Sequence, residues 1–152
     1  MTKEKTPKEV FEELSAKGEY GEANLDKAEI EKSMRMALED YEYGKFLRKS
    51  QKQNWRVIFN VHYDVIRELC DQLMRFKFQK TGNHQGLFAF IILEFPELDM
   101  DWNFFETVRN IRNHNKYRGA DITKEMWKRS ELGIDVYIST LKKEIEKRLK
   151  AI

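Results

Sequence analysis

Between Val108 and Gly119 the chain reads Val-Arg-Asn-Ile-Arg-Asn-His-Asn-Lys-Tyr-Arg-Gly, with cations at Arg109, Arg112, Lys116 and Arg118 and no acid between Glu106 and Asp121. Arginine forks can bind phosphate oxygens in bidentate geometry, and side chains such as Asn115 and Tyr117 can add hydrogen bonds. The chemistry of that combination is contact with phosphodiesters or nucleotides. Cations in the last turn of a helix also complement its dipole, so the same run has a purely structural reading. On the residues alone the two readings stand level.

Other chemistry-bearing residues are scattered. Asp64 and Glu68 lie one helical turn apart and could present two carboxylates, although Arg67 between them favours a local ion-pair network. His62, His84 and His114 are isolated from one another, and no Cys or His recurs at metal-ligand spacing, so no metal or other cofactor is expected. His84 follows a Gly-Asn turn, where it is a candidate helix cap. Cys70 flanks an apolar stripe and reads as a buried small residue rather than a nucleophile. No glycine-rich phosphate loop, serine elbow or dinucleotide fingerprint occurs.

The elements that must position these residues are helical. Thr6-Pro7-Lys8-Glu9 has the form of a capping box and predicts a short helix from Pro7 to about Lys17. Gly18 and Gly21 end it, and Asp26 opens a long stretch from Lys27 to Lys49. From Asn54 the residues Ile58, Val61, Val65, Leu69 and Leu73 recur at helical spacing, and the pattern continues until Thr81-Gly82-Asn83. Gln85 to Phe95 is apolar nearly all round, as a central helix is, and Pro96 stops it. Asp101 and Thr123 cap the last two helices, the first of which ends near Tyr117-Arg118-Gly119. No segment alternates like a strand. The expected fold class is all-α: an antiparallel bundle of about five or six helices in a single domain over residues 1–152, with a core at about 27–150 and an extra N-terminal helix.

Length and charge bound the function. A chain of 152 residues can bury a sizeable core, and 28 Lys+Arg against 26 Asp+Glu leave a formal net charge of only +2. No whole-molecule field marks a nucleic-acid binder, so any such signal is local. One cysteine forms no internal disulfide, the N-terminus lacks the apolar segment of a signal peptide, and the longest apolar run, Leu87 to Leu93, falls far short of the ~18 residues of a membrane span. A cytoplasmic protein without membrane contact is expected.

Arg109-Asn110-Ile111-Arg112-Asn113-His114 matches Arg-Asn-x-x-x-His, and a second register, Arg112-Asn113-His114-Asn115-Lys116-Tyr117, puts tyrosine in the histidine's place close to a Tyr-x-Gly ending. With Tyr63-Asp64-Val65-Ile66-Arg67-Glu68 and Asn83-His84-Gln85-Gly86 upstream, the stretch from about Ala37 to Leu149 resembles the HEPN family of helical-bundle domains. The resemblance implies a bundle that often dimerises, with the motifs of two protomers facing one cleft, and in several members a metal-independent RNase of toxin type. It implies His114 as general acid or base, with Arg109 or Arg112 stabilising charge on phosphate. Asn110 or Asn113 would orient the histidine or the phosphate, and Asp64 or Glu68 would hold an arginine or histidine in place. In the second register Arg112, Asn113 and Tyr117 take those places. Arg112, Asn115, Lys116 and Arg118 are the expected RNA-phosphate contacts. Other members bind RNA or nucleotide without cutting, or pair with a nucleotidyltransferase-type partner, so the rival expectation is a non-catalytic protein-interaction module.

Overall fold

The computed structural model describes residues 4–152. Among them the chain forms six α-helices: α1 (Pro7–Ala16), α2 (Lys27–Arg48), α3 (Trp55–Arg75), α4 (His84–Glu94), α5 (Trp102–Arg118) and α6 (Lys124–Lys150). Each begins at a residue whose side-chain oxygen accepts from a free backbone N–H of the first turn: Thr6, Asp26, Asn54, Asn83, Asp101 and Thr123. Such caps contribute about 1 kcal/mol each and set where the helices start. The bundle is all-α in class, and none of its described helices is long and apolar enough to cross a membrane.

α3 lies at the centre. Ile58, Phe59, Ile66, Leu69 and Leu73 are buried on it, and it meets α2, α4, α5 and α6. α4 is apolar nearly all round because it too is enclosed, with Leu87, Phe88, Ala89, Phe90 and Ile91 all buried. α5 anchors on them through Phe105, whose ring stacks on Phe88 at 4.5 Å.

A polar cluster interrupts this core where α2, α3 and α6 meet. Buried His62 lies with Nδ1 2.7 Å from the Ile58 carbonyl oxygen, and its Nε2 accepts from Arg48 Nε at 3.1 Å. Arg48 closes on Asp135 through both terminal nitrogens, at 2.9 and 2.6 Å, and Tyr41 donates to the same carboxylate at 2.6 Å.

Two features depart from the expected pattern. α3 ends at Arg75 rather than running to Thr81, because the amides of Phe76, Lys77 and Phe78 bond three residues back and Phe78 turns into the left-handed region at φ 60°. The freed segment forms β2 (Gln79–Thr81), which pairs antiparallel with β1 (Tyr20–Glu22) in the register Tyr20 to Thr81. Strands of three residues are too short to show an alternation, which is why none was visible. The ribbon brings the N-terminal arm onto α4, where the Tyr20 hydroxyl donates to the Gly86 carbonyl at 2.8 Å. A β-carbon at Gly86 would stand 2.6 Å from Leu14 Cδ1, so a larger residue there obliges the Leu14 side chain to move where α1 packs on α4.

Candidate functional site

α5 is fixed by the burial of Phe105 and Val108, which aims the adjoining Arg109, Arg112 and Asn113 toward α3 and α4. Gly119 ends the helix in the left-handed conformation at φ 68°, and the Ala120 amide bonds the His114 carbonyl at 3.0 Å. Lys116 and Arg118 stand exposed in the last turn, where they complement the helix dipole.

Both motif arginines are held by carboxylates of the same chain. Arg112 donates through Nη1 to Asp64 at 2.6 Å, and its guanidinium lies 4.8 Å from the centre of the Tyr63 ring. Arg109 donates through Nε and Nη2 to Glu106 at 3.1 and 2.9 Å, and Gln85 reaches the same carboxylate. These pairs offset the local positive charge, so what distinguishes the region is directed donors rather than net potential.

Two recesses open beside these residues. The larger, about 700 Å³, lies between α2, α3 and the end of α5; its polar lining includes Asp40, Asp64, Glu68, Arg67 and Arg112, with Met36, Ala37 and Val65 as apolar wall. The smaller, about 280 Å³, is lined by Asn83, Gln85, Arg109 and Asn113 and includes no carboxylate. His84 and Tyr117 line both. The larger recess therefore sets carboxylates and guanidiniums against an apolar wall, and the smaller holds one guanidinium and amides with no carboxylate.

His84 was not singled out as a site residue by its sequence context. Asn83 is the cap of α4, and His84 is its first residue, half-buried, with Nδ1 3.0 Å from the Tyr63 hydroxyl. Burial pulls its pKa below the ordinary imidazole value, and the cations Arg67 and Arg112 reinforce the shift. Burial also pushes the Tyr63 hydroxyl well above the usual phenol range. The signal in the sequence was the Gly-Asn turn followed by histidine, which reads equally as a cap.

The remaining expected residues are dispersed. Asn110 and His114 are exposed and line neither recess. Asn115 is occupied within the fold, accepting from Asn60 at 3.1 Å and donating to the Ala120 carbonyl at 2.8 Å. Glu68 accepts from Gln72 at 2.9 Å and sits 3.5 Å from Arg67, which bonds Asp71 at 2.8 Å. Burial raises the Asp71 carboxyl to about 6. Cys70 is fully enclosed and its thiol is pushed up by burial. Among the described residues, no three His, Cys, Asp or Glu side chains are grouped to hold a metal ion.

No family model matches the chain, and no curated protein or solved structure matches it.

Proposed function

We propose that the chain is an RNA- or nucleotide-binding bundle of the HEPN type, with the paired recesses at the end of α5 as its binding surface. The observation that carries this reading is their complementary chemistry. A phosphate accepts hydrogen bonds only, and suits the smaller recess, whose lining holds no carboxylate; Glu106 engages Gln85 and two nitrogens of Arg109, which leaves Arg109 Nη1 and the Asn113 amide without a partner among the described residues. A ribose donates from its hydroxyls, and suits the larger recess with Asp40, Asp64 and Glu68. Tyr117, 82 % exposed where the two meet, offers a face for a base.

Asp64 fixes Arg112 Nη1, while Nε and Nη2 make no hydrogen bond among the described residues and are open to a ligand. With a formal net charge of +2, affinity rests on these local contacts and falls steeply with salt. Metal-independent endoribonuclease activity is the stronger form of the same proposal.

The test is fluorescence anisotropy with a mixed-sequence single-stranded RNA and the DNA of the same sequence, at low salt and in EDTA. RNA binding tighter than DNA binding, and lost in Arg109→Ala, supports the reading. Equal affinity for the two, or binding untouched by Arg109→Ala, removes it.

A second reading has its own observation. On the outer face of α2 the exposed rings of Tyr43 and Phe46 stack at 6.0 Å, and α6 exposes Leu132 and Val136. An apolar surface of this kind suits a non-catalytic interaction module that forms a homodimer or meets a nucleotidyltransferase-type partner. Light scattering on the wild type and on Phe46→Ser tests the dimer: a mass that halves in the variant supports it, and a wild-type monomer at high concentration rejects it.

A further inference from the structure

The larger recess is lined by three carboxylates, and they are not equally committed. Both oxygens of Glu68 are engaged, one accepting from Gln72 at 2.9 Å and the other 3.5 Å from Arg67. One oxygen of Asp64 accepts from Arg112. Asp40, at the α2 side of the recess, makes no hydrogen bond or ion pair among the described residues, so its two acceptor oxygens are available together.

The cations divide in the same way. Arg67 is tied through both terminal nitrogens, to Asp71 at 2.8 Å and to Glu68. Arg112 gives only Nη1 to Asp64, and its remaining N–H groups, on Nε and Nη2, lie along one edge of the guanidinium and point the same way. The recess thus carries an acceptor fork on α2 and a donor fork on α5, with Met36, Ala37 and Val65 as apolar wall.

We propose that the larger recess recognises a guanine base of single-stranded RNA, with Asp40 as the residue that selects it and Arg112 as the second contact. The inference rests on the RNA-binding reading above and adds to it which base is read.

Guanine is the RNA base that matches both forks. It sets two donors side by side, N1–H and the N2 amino group, and two acceptors side by side, O6 and N7. One carboxylate takes both donors, and one arginine edge satisfies both acceptors. Adenine and cytosine each place a single amino donor beside a ring nitrogen lone pair, which would face the second carboxylate oxygen. Adenine also has a donor beside N7, where it would meet the N–H groups of the arginine. The one ring donor of uracil, N3–H, lies between two carbonyls that repel a carboxylate.

The rest of the nucleotide has its own places. A flat base packs its face on the apolar wall, and a recess of about 700 Å³ is large enough to take a ribose as well, with the free oxygen of Asp64 as acceptor for a hydroxyl. The phosphate belongs to the smaller recess, whose lining Asp40 does not share, so carboxylate and phosphate are kept apart.

The experiment measures fluorescence anisotropy of the 152-residue chain at low salt with labelled oligouridylate strands that carry one central guanine, adenine, cytosine, hypoxanthine or 7-deazaguanine. Hypoxanthine lacks the N2 amino group and 7-deazaguanine lacks the N7 acceptor, so each removes one arm of one fork without touching the protein. Wild type is expected to bind the guanine strand roughly 5- to 150-fold more tightly than the adenine or cytosine strand, with the two analogues in between. Asp40 is exposed on a helix, where alanine is well tolerated. Asp40→Ala is expected to bring the guanine and hypoxanthine strands within about threefold of each other, and Arg109→Ala to weaken all strands alike.

A gap between guanine and hypoxanthine that survives Asp40→Ala overturns the assignment to Asp40, and a 7-deazaguanine strand bound as tightly as the guanine strand overturns the contact with Arg112. Equal binding of all strands by wild type, still lost in Arg109→Ala, overturns guanine recognition and leaves the binding reading intact. No binding of any strand removes both.

Discussion

A β-carbon on Gly44 would stand 2.6 Å from Cε1 and 3.0 Å from Nε2 of His62. The imidazole cannot swing aside, because Ile58 holds one nitrogen and Arg48 the other. Gly44→Ala is therefore expected to destabilise the fold by about 1–3 kcal/mol, the usual range for overpacking a tight core, despite alanine's better helix propensity. Urea denaturation measures this, and an unchanged midpoint would show that α2 and α3 slide apart at no cost.

Burial holds the His62 imidazole down at about 4, against an ordinary value of 6.5. A depressed folded value means that the neutral ring stabilises the fold fully above the unfolded pKa, and that this stabilisation is lost as pH falls from about 6.5 through about 4. The shift corresponds to roughly 3 kcal/mol. Melting temperature is expected to drop over that window, and the drop to be shallower in His62→Gln, which carries no titrating group. Parallel curves for the two proteins would locate the acid sensitivity elsewhere.

Asp64 does two things in the larger recess, binding Arg112 and contributing an acceptor. Asp64→Asn removes a charge beside the arginine and weakens the acceptor, so DNA affinity is expected to rise and the preference for RNA over DNA to shrink by roughly 10- to 150-fold, the equivalent of one charge-assisted hydrogen bond. Anisotropy with matched RNA and DNA strands at one salt concentration reports the ratio. A preference that survives would take the carboxylate out of ribose recognition.

Cys70 is enclosed on α3, and its thiol is held well above the usual range. Thiol-specific reagents are expected to react with the native chain only as fast as it opens globally, and stoichiometrically in denaturant. Rapid labelling without denaturant would reveal local opening of α3.

Much of the fold was legible because helix starts are local chemistry. Thr6, Asp26, Asp101 and Thr123 each declare a helix within four residues of sequence, and each caps one. The end of α3 was not legible: Phe76, Lys77 and Phe78 do not individually forbid helix, and the turn they make leads into pairing with a segment far earlier in the chain. The site divides the same way. The cations of α5 are visible as a run, but the resemblance offers two acids and two arginines, and only packing selects Asp64 with Arg112 across 48 positions. His84 was hidden because its partner, Tyr63, lies 21 positions away on another helix.

The ribbon that joins Tyr20–Glu22 to Gln79–Thr81 also orders events in time. α2 and α3 meet across a short connection and need little chain entropy to find each other, whereas the ribbon must close a loop that contains both helices. The turn that launches α4, and with it the placement of His84, belongs to this late, non-local closure. A chain whose ribbon is unpaired is therefore expected to keep its helices while the turn that launches α4, and His84 with it, is left unset.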